Sequence, residues 1–397
     1  MKITDVKVFE VIGVAHEGWR PREARTSAPL DVYPEFQRVE PPPAPNDGAR
    51  GRTPLRAVYV EVVTDVNMVG LYGPIMREQA FIIRSKLRPF LIGRDPMCGE
   101  TLWDQMRRLD RHGRTGHMMM AISAVDCALW DFRGKRHGVP VYQLLGGPTR
   151  ERVRAYASMG GDSLEPDRAS DRARQVYDRG FTAQKWFFRN GPGDGEEGRR
   201  ENLRLVRALR EALGEDAQLM FDGGRSWDVA YAIQTARDMA PYEPTWLEEP
   251  FQPERLEAYL RLKQETDVPL AAGEHLYTRW DVKPFLDAGV LDYLQADPDW
   301  TGGITEMQKI CALADLYDVK VVPHGHHILA ALHVVAAQAP GLCPMVEYLF
   351  RHLDRSQYFH KNRLRPEGGW LSLPTEPGLG LAFDKDRVED LRELKWE

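Results

Sequence analysis

Seven ionisable side chains, each at or near the end of a short apolar run, are the residues of this sequence best placed to do chemistry. Consecutive members are 23 to 37 residues apart, which suits one strand and the helix that follows it. They are Lys185, Asp222, Glu248, Glu274, Asp297, His324 and Glu347. A fold that brings strand ends together would gather these groups on one surface.

Three of the seven are carboxylates that follow consecutive runs: Asp222, Glu248 and Glu274. Converging carboxylates repel one another unless a cation neutralises them. Oxygen-only ligands favour Mg²⁺ or a similar hard cation over zinc, so this trio predicts a magnesium site. Taken singly, Asp222 could be a helix N-cap, but that explanation does not account for all three.

The segment His324-Gly325-His326-His327 admits a second metal interpretation, a transition-metal cluster. One turn of chain cannot point three imidazoles at one ion, and closed zinc sites need such convergence. A lone histidine after Pro323, or a lone Lys185 with its long apolar stem, is by itself more typical of a surface residue. The shared position of His324 and Lys185 at strand ends favours a catalytic role for both.

The elements that must position these groups alternate regularly after Gly147. Eight short apolar runs are separated by amphipathic segments such as Asn202–Leu213 and Ile304–Tyr317, a pattern typical of parallel βα units. The runs are Val153–Met159, Thr182–Phe188, Gln218–Phe221, Thr245–Leu247, Leu270–Ala272, Tyr293–Ala296, Lys320–Pro323 and Met345–Val346. Eight such units most simply close into a (β/α) barrel, whose active site lies at the carboxyl ends of the strands. An open doubly wound sheet is the alternative, although no glycine-rich phosphate loop follows a strand.

The first part of the chain has a different organisation. It begins with an edge-like strand, and a second strand rich in branched residues starts near Arg56. Between them, Asp31–Pro54 carries a proline cluster and an Asn-Asp-Gly turn, which predicts a long surface loop, either disordered or a lid. A helical pattern follows over 77–115, and Met118–Phe132 predicts a helix that ends near Gly134 or Gly138.

Composition limits the remaining possibilities. The chain has 397 residues, 43% of them hydrophobic, and a net charge of −6, which suits a globular protein with a real core and gives no electrostatic footprint for nucleic acid. No apolar stretch is long enough for a membrane span, and charges at the start do not suit a signal peptide. We therefore expect a cytoplasmic protein whose four cysteines are buried free thiols.

Several motifs together resemble the enolase superfamily, and specifically its mandelate racemase branch. They are Ser123-Ala-Val-Asp-Cys-Ala-Leu-Trp-Asp131, Leu144-Leu-Gly-Gly147, Phe221-Asp222-Gly, Leu247-Glu248-Glu249-Pro250, Gly273-Glu274-His275, Asp297 ahead of Gly302-Gly303, and Pro323-His324-Gly. The resemblance covers nearly the whole chain. It implies a modified (β/α)₇β barrel of the TIM type with an α+β capping domain.

The resemblance also implies domain limits and residue roles. Residues 1–120 would form the capping domain with its lid loops, 121–355 the barrel, and 356–397 a segment that returns to the capping domain. Asp222, Glu248 and Glu274 would hold Mg²⁺, the first glutamate of Leu247-Glu248-Glu249-Pro250 being the ligand. Asp297 would orient His324 as the general base, and Glu347 would hydrogen-bond the developing enolate. Lys185 would place its charge at the substrate carboxylate.

One departure from the racemase pattern reduces the number of reactions that the site could catalyse. That pattern has Lys-x-Lys on the second barrel strand, whereas here Lys185 is followed at the second position by Phe187, which cannot accept a proton. Acid-sugar dehydratases such as the L-rhamnonate dehydratase family also lack the second lysine, so the resemblance implies Mg²⁺-dependent loss of water from an aldonate or aldarate to give a 2-keto-3-deoxy acid. The alternatives are a racemase or epimerase whose second base is His275 or a lid residue, and an inactive sugar-acid binding protein.

The expected partners follow from this interpretation. We expect a small sugar-acid substrate, a homo-oligomer, and neither nucleic acid nor membrane as a partner. The distal end of the substrate would be contacted from the capping loops, by His16 or by an arginine between residues 20 and 56.

Overall fold

The computed structural model describes residues 1–15, 22–36 and 53–396. The strands are β1 (Ile3–Ala15), β2 (Thr53–Thr64), β3 (Val69–Ile75), β4 (Arg152–Ser158), β5 (Ala183–Phe187), β6 (Gln218–Asp222), β7 (Trp246–Glu248), β8 (Leu270–Ala272), β9 (Tyr293–Leu294), β10 (Lys320–Val321), β11 (Met345–Leu349), β12 (Trp370–Ser372) and β13 (Asp390–Glu393). The α-helices are α1 (Arg77–Ile82), α2 (Arg88–Leu91), α3 (Gly99–Leu109), α4 (Gly116–His137), α5 (Val141–Leu144), α6 (Pro166–Asp178), α7 (Gly195–Leu213), α8 (Val229–Met239), α9 (Leu256–Glu265), α10 (Thr278–Asp287), α11 (Gly303–Asp315), α12 (Leu329–Ala337) and α13 (Phe350–Ser356).

The eight strands β4–β11 form the parallel sheet that the apolar runs predict. They lie in the order β10-β9-β8-β7-β6-β5-β4-β11, and the amide of Val321 donates to the carbonyl of Leu342 at 2.8 Å, just ahead of β11, where the two ends of that order meet. One helix, from α6 to α12, connects each strand to the next. This is the predicted (β/α)₇β barrel, and its strands are almost entirely apolar because both of their faces are covered.

The barrel interior is filled by a small apolar core of its own. Its members are Tyr156, Ala183, Met220, Trp246, Ala271, Val322 and Met345. Because side chains alternate along a strand, the residue two positions later points the same way and lies one layer closer to the carboxyl end. That layer is therefore where polar side chains from the strands can meet above a dry floor.

The capping sheet is antiparallel, in the order β13-β1-β2-β3. The expectation that β1 is an edge strand is wrong, because β13 near the chain's end pairs with it on the side away from β2. Its burial alternates accordingly, with Val6, Val8 and Val11 fully buried. The predicted domain limits at 120/121 and 355/356 stay predictions.

The structure bears on the predicted surface loop and on the predicted end of α4. Thr53 and Pro54, placed at the end of the surface loop by their composition, pair with Ala15 and Val14 as the first residues of β2. Residues 37–52 of that loop lie outside the described part of the chain. Helix α4 continues through Gly134 and ends at Gly138, whose φ of 72° suits the left-handed cap.

The prediction that all four cysteines are buried free thiols is wrong for one of them. All four cysteines are free thiols, three of them buried, but Cys98 is exposed, because it lies at the start of α3 rather than in a packed face. None of the described helices combines the length and the apolar character that a membrane crossing requires.

The junction between cap and barrel is made by polar groups on α4. The Asp126 carboxylate accepts hydrogen bonds from the Thr305 amide at 2.9 Å and from the Thr305 hydroxyl at 2.6 Å, and the Ser123 hydroxyl accepts one from the Gly302 amide at 2.8 Å. Gly303 has a φ of 81°, and a Cβ there would lie 2.4 Å from Asp126. Helix α4 thus fixes the chain that follows β9.

Candidate active site

Five of the seven predicted residues form one layer at the carboxyl end of the barrel. Lys185, Asp222, Glu248, His324 and Glu347 each follow a member of the interior core by two positions, which directs their side chains inward. The last strand extends to Leu349, so Glu347 lies in mid-strand rather than at the strand end that its apolar run predicts. Glu274 and Asp297 come from the loops directly after β8 and β9.

Lys185 is the centre of this layer. Its ammonium lies 2.5 Å from Glu248 Oε1, 2.8 Å from Glu347 Oε1 and 3.8 Å from Asp222 Oδ2, with only 2% of the side chain exposed. Burial works to lower the pKa of Lys185, but the neighbouring carboxylates hold it well above its usual value. The lysine is therefore a fixed positive charge.

A histidine–aspartate pair lies on the opposite side of the barrel mouth. His324 Nδ1 is 2.9 Å from Asp297 Oδ2, and its Nε2 is 3.4 Å from Glu274 Oε2. The Asp297 carboxylate also accepts the Asp299 amide at 2.8 Å and the His326 amide at 3.3 Å. Burial alone would lower the pKa of His324, but Glu274 and Asp297 raise it to about 10.

The carboxylate set is suited to a cation. Burial raises the pKa of Asp222 to about 6 and that of Glu248 well above its usual range, even though Lys185 works against both shifts. The charges of Asp222, Glu248 and Glu274 act on one another, so one lysine does not balance them. Three carboxylates with excess negative charge, Glu248 buried and Asp222 and Glu274 half-buried, fit a hard divalent ion such as Mg²⁺.

A second carboxylate group adjoins the predicted ligands. Ligand atoms of Glu249, Glu274 and His275 lie within 4.8 Å of one another, and a backbone φ of 30° turns Glu249 out of the inward-facing register of Glu248. His275 uses both ring nitrogens, with Nδ1 2.9 Å from Glu249 and Nε2 2.7 Å from Arg225. Glu274 belongs to both groups and is therefore their shared carboxylate.

Sequence reasoning missed several side chains that support the site. Gln295 donates to Glu248 Oε2 at 2.7 Å, and Trp246 donates to the same oxygen at 3.0 Å. The Trp300 ring lies 4.7 Å from that of His324, and its buried indole N–H has no hydrogen-bond partner among the described residues. Gln295 and Trp246 each have a signal in the sequence, since they precede Asp297 and Glu248 by two positions; Trp300 follows no strand pattern.

Only some of the residues predicted to contact the distal end of the substrate lie in the described part of the chain. His16 lies outside the described residues. The segment at 22–36 docks on the barrel mouth, where the Ser27 amide donates to the Phe188 carbonyl at 2.8 Å and the Ser27 hydroxyl to the Gly223 carbonyl at 3.0 Å. Arg25 of this segment pairs with Asp31, and Arg56 pairs with Glu10 at 3.1 Å.

Comparisons with known protein families agree with the fold. The Enolase C-terminal domain-like profile matches residues 168–387, and the Mandelate racemase / muconate lactonizing enzyme N-terminal domain profile matches residues 48–146. The chain belongs to the mandelate racemase/muconate lactonizing enzyme family. It is accordingly an enzyme of the enolase superfamily, as the motifs indicate.

Curated members of the mandelate racemase/muconate lactonizing enzyme family resemble it over most of their length. A D-galactarolactone cycloisomerase of Agrobacterium fabrum is 36% identical, over 88% of this chain and 94% of the relative. An L-rhamnonate dehydratase of Saccharopolyspora erythraea is 34% identical, over 97% of each. The structure of rhamnonate dehydratase from Gibberella zeae complexed with Mg has a TM-score of 0.83 at 29% identity and covers 97% of this chain and 95% of its own. These matches confirm the predicted fold class and the resemblance to acid-sugar dehydratases.

Proposed function

We propose that this enzyme is a Mg²⁺-dependent dehydratase that removes the α-proton of a sugar acid, an aldonate or aldarate, and expels the β-hydroxyl to give a 2-keto-3-deoxy acid. The observation that carries the proposal is the His324–Asp297 pair beside the carboxylate set, in the same layer as the buried Lys185. Support also comes from the L-rhamnonate dehydratase relative and from the Mg in the related structure.

Asp222, Glu248 and Glu274 would hold the ion. When bound, Mg²⁺ supplies positive charge for the substrate carboxylate oxygens as negative charge develops there, and it offsets the field of Glu274 on His324. Lys185 contributes a second fixed charge near the same oxygens. These charges are needed because a proton next to a carboxylate is too weakly acidic for an unaided side chain.

His324 acts first as base and then as acid. Its neutral Nε2 takes the α-proton, while Asp297 holds Nδ1 and thereby fixes the tautomer. The protonated ring then donates that proton to the departing hydroxyl, which leaves as water. The resulting enol becomes the 2-keto acid. Lys185 lowers the pKa of Glu347 against the effect of burial, so the predicted donation from Glu347 to an enolate oxygen requires that Glu347 takes up a proton.

Phe187 favours elimination over racemisation. Racemisation needs a base on each face of the α-carbon, and the position that would supply the second one on β5 is an aromatic ring whose centre lies 5.4 Å from the Lys185 ammonium. His275, the other candidate, has both ring nitrogens engaged. With one base, proton removal leads to loss of the β-hydroxyl.

A second candidate reaction is cycloisomerisation of a sugar-acid lactone. It is favoured by the 36% identity to the D-galactarolactone cycloisomerase. Such a reaction would use the same base and the same carboxylate set, so the residues of the site do not separate it from dehydration.

The experiment is a panel of aldonic acids, aldaric acids and their lactones, incubated with the enzyme and Mg²⁺. The assay follows semicarbazide-reactive keto acid, the C2 epimer and the lactone in parallel, with His324→Asn as the control. We expect keto acid from at least one open-chain acid and none with the control. Epimer without keto acid would indicate a racemase, and consumption of a lactone alone would indicate the cycloisomerase.

A further inference from the structure

Three histidines form a cluster beside the catalytic pair that the proposed reaction does not use. His326 and His327 come from the loop after β10, and His352 comes from α13. Their ring centres are 3.9 Å apart for His326 and His327 and 4.8 Å apart for His326 and His352. One nitrogen from each ring lies within 4.8 Å of the others, so a single ion could contact all three.

This cluster is separate from the carboxylate site although the two are close in sequence. The Trp300 ring packs beside both histidines, 4.7 Å from the His324 ring and 5.2 Å from the His326 ring, and those two rings are 6.4 Å apart. His324 faces Asp297 and Glu274. The expectation that one turn cannot converge three imidazoles therefore agrees with the geometry of residues 324–327, and the third ring of the cluster comes from a different element.

Asp299 orients the His327 ring in the manner of a supporting carboxylate and lies near the His326 ring. Its Oδ2 lies 3.0 Å from His327 Nδ1 and 3.4 Å from His326 Nδ1, while its other oxygen accepts the hydroxyl of Tyr72. A carboxylate on one imidazole nitrogen fixes the ring and leaves the other nitrogen free for a metal. Asp299 also brings a negative charge to the cluster.

One ring of the cluster has a nitrogen without a partner in the described part of the chain. The buried Nε2 of His352 has no hydrogen-bond partner among the described residues.

An entry path reaches the cluster from between cap and barrel. All three histidines line a cavity of about 550 Å³. Its wall includes Arg56 and Arg77, both paired with Glu10, and Arg355. The arginines favour an anion or hydroxide as a further ligand, which would complete a three-histidine site with an open position.

We propose that His326, His327 and His352 form a second metal site, selective for a borderline transition-metal ion such as Zn²⁺ and distinct from the carboxylate Mg²⁺ site. The ligand type decides the selectivity, because imidazole nitrogen binds Zn²⁺ and neighbouring transition metals, whereas Mg²⁺ takes oxygen ligands. This site does not depend on which reaction the enzyme catalyses.

The test is Zn²⁺ binding by the whole protein in saturating Mg²⁺, measured by equilibrium dialysis with metal analysis and by the visible absorption of Co²⁺ as a probe. We compare the wild type with His352→Gln and with His137→Gln, a control at an exposed histidine of α4. Loss of an outer partner typically weakens metal binding by about 10–100-fold, so loss of a ligand should weaken it at least that much.

One Zn²⁺ per chain, lost in His352→Gln and kept in His137→Gln, is the expected result. If His352→Gln does not fold, judged by its urea midpoint, His326→Gln replaces it in the comparison. Absence of Zn²⁺ binding in the wild type, or equal binding by wild type and ligand variant, would overturn the proposal. Neither result depends on the sugar-acid activity, which needs no measurement here.

Discussion

Replacing Lys185 by methionine tests the electrostatic balance of the site most directly. The substitution removes the charge and keeps a side chain of similar length in a position that is 2% exposed. It leaves Glu248, Glu347 and Asp222 without the ammonium that lies within 3.8 Å of each. Removing one partner of a buried ion pair typically costs about 3–5 kcal/mol, and we expect that loss at pH 7.5.

The pH dependence of this loss has a definite sign. Burial already raises the pKa of Asp222 to about 6 and that of Glu248 further above its unfolded value, and without Lys185 both pKa values rise more. The folded variant then binds more protons than the unfolded chain from about pH 4 to above pH 6, so its stability increases as the pH falls through that range. The difference from the wild type should therefore shrink from pH 7.5 to pH 5.5.

Urea unfolding with and without Mg²⁺ measures both effects. A ligand at about 100 times its Kd stabilises the folded state by roughly 2.7 kcal/mol, so Mg²⁺ should recover part of the deficit while catalysis stays lost. Lys320→Met is the matched control, because this lysine also lies on a barrel strand but is exposed. Equal urea midpoints for wild type and Lys185→Met at pH 7.5 would refute the reasoning.

Three further predictions concern the metal, the base and the junction. Asp222→Asn should weaken Mg²⁺ binding by about 10-fold or more in calorimetry, and full activity of this variant in EDTA would contradict the ligand assignment. His324→Asn should remain folded but lose α-proton exchange in D₂O by about 10²–10⁴-fold, with a smaller loss for Asp297→Asn; unchanged exchange would place the base elsewhere. Asp126→Ala removes both hydrogen-bond acceptors of Thr305. It should lower the free energy of unfolding by about 2–4 kcal/mol. It should also change kcat more than KM, because the loop that carries Asp297 loosens. Asp126→Asn should lose less, and an unchanged kcat for Asp126→Ala would separate the junction from catalysis.

The sequence predicts the barrel well because its signal is periodic. Parallel strands buried on both faces are apolar runs, and the inward-facing position two residues after a core residue is fixed by alternation. This is why the sequence alone predicts that Lys185, Asp222, Glu248 and His324 lie on one surface. Glu347 was assigned to a strand end because the apolar run stops at Val346, whereas hydrogen bonding continues to Leu349.

The features of the fold and the site that the sequence does not predict depend on contacts between residues far apart in the chain. The pairing of β13 with β1 joins residues more than 370 positions apart, so nothing near β1 distinguishes it from an edge strand. Trp300 and Asp299 lie in a loop whose path is fixed by α4 and not by its own sequence. His352 reaches His326 only because α13 packs beside the loop after β10.

The junction on α4 limits how this enzyme can be recombined with its relatives. The chain after β9 carries Asp297, yet it is held by Ser123, Asp126 and the Trp103 indole, which donates to the Gly302 carbonyl at 2.6 Å. A chimera whose crossover lies beyond α4 would take these donors and acceptors from different parents, whereas a crossover ahead of α3 keeps them together. The loop that carries Asp297 is therefore best inherited together with α3 and α4.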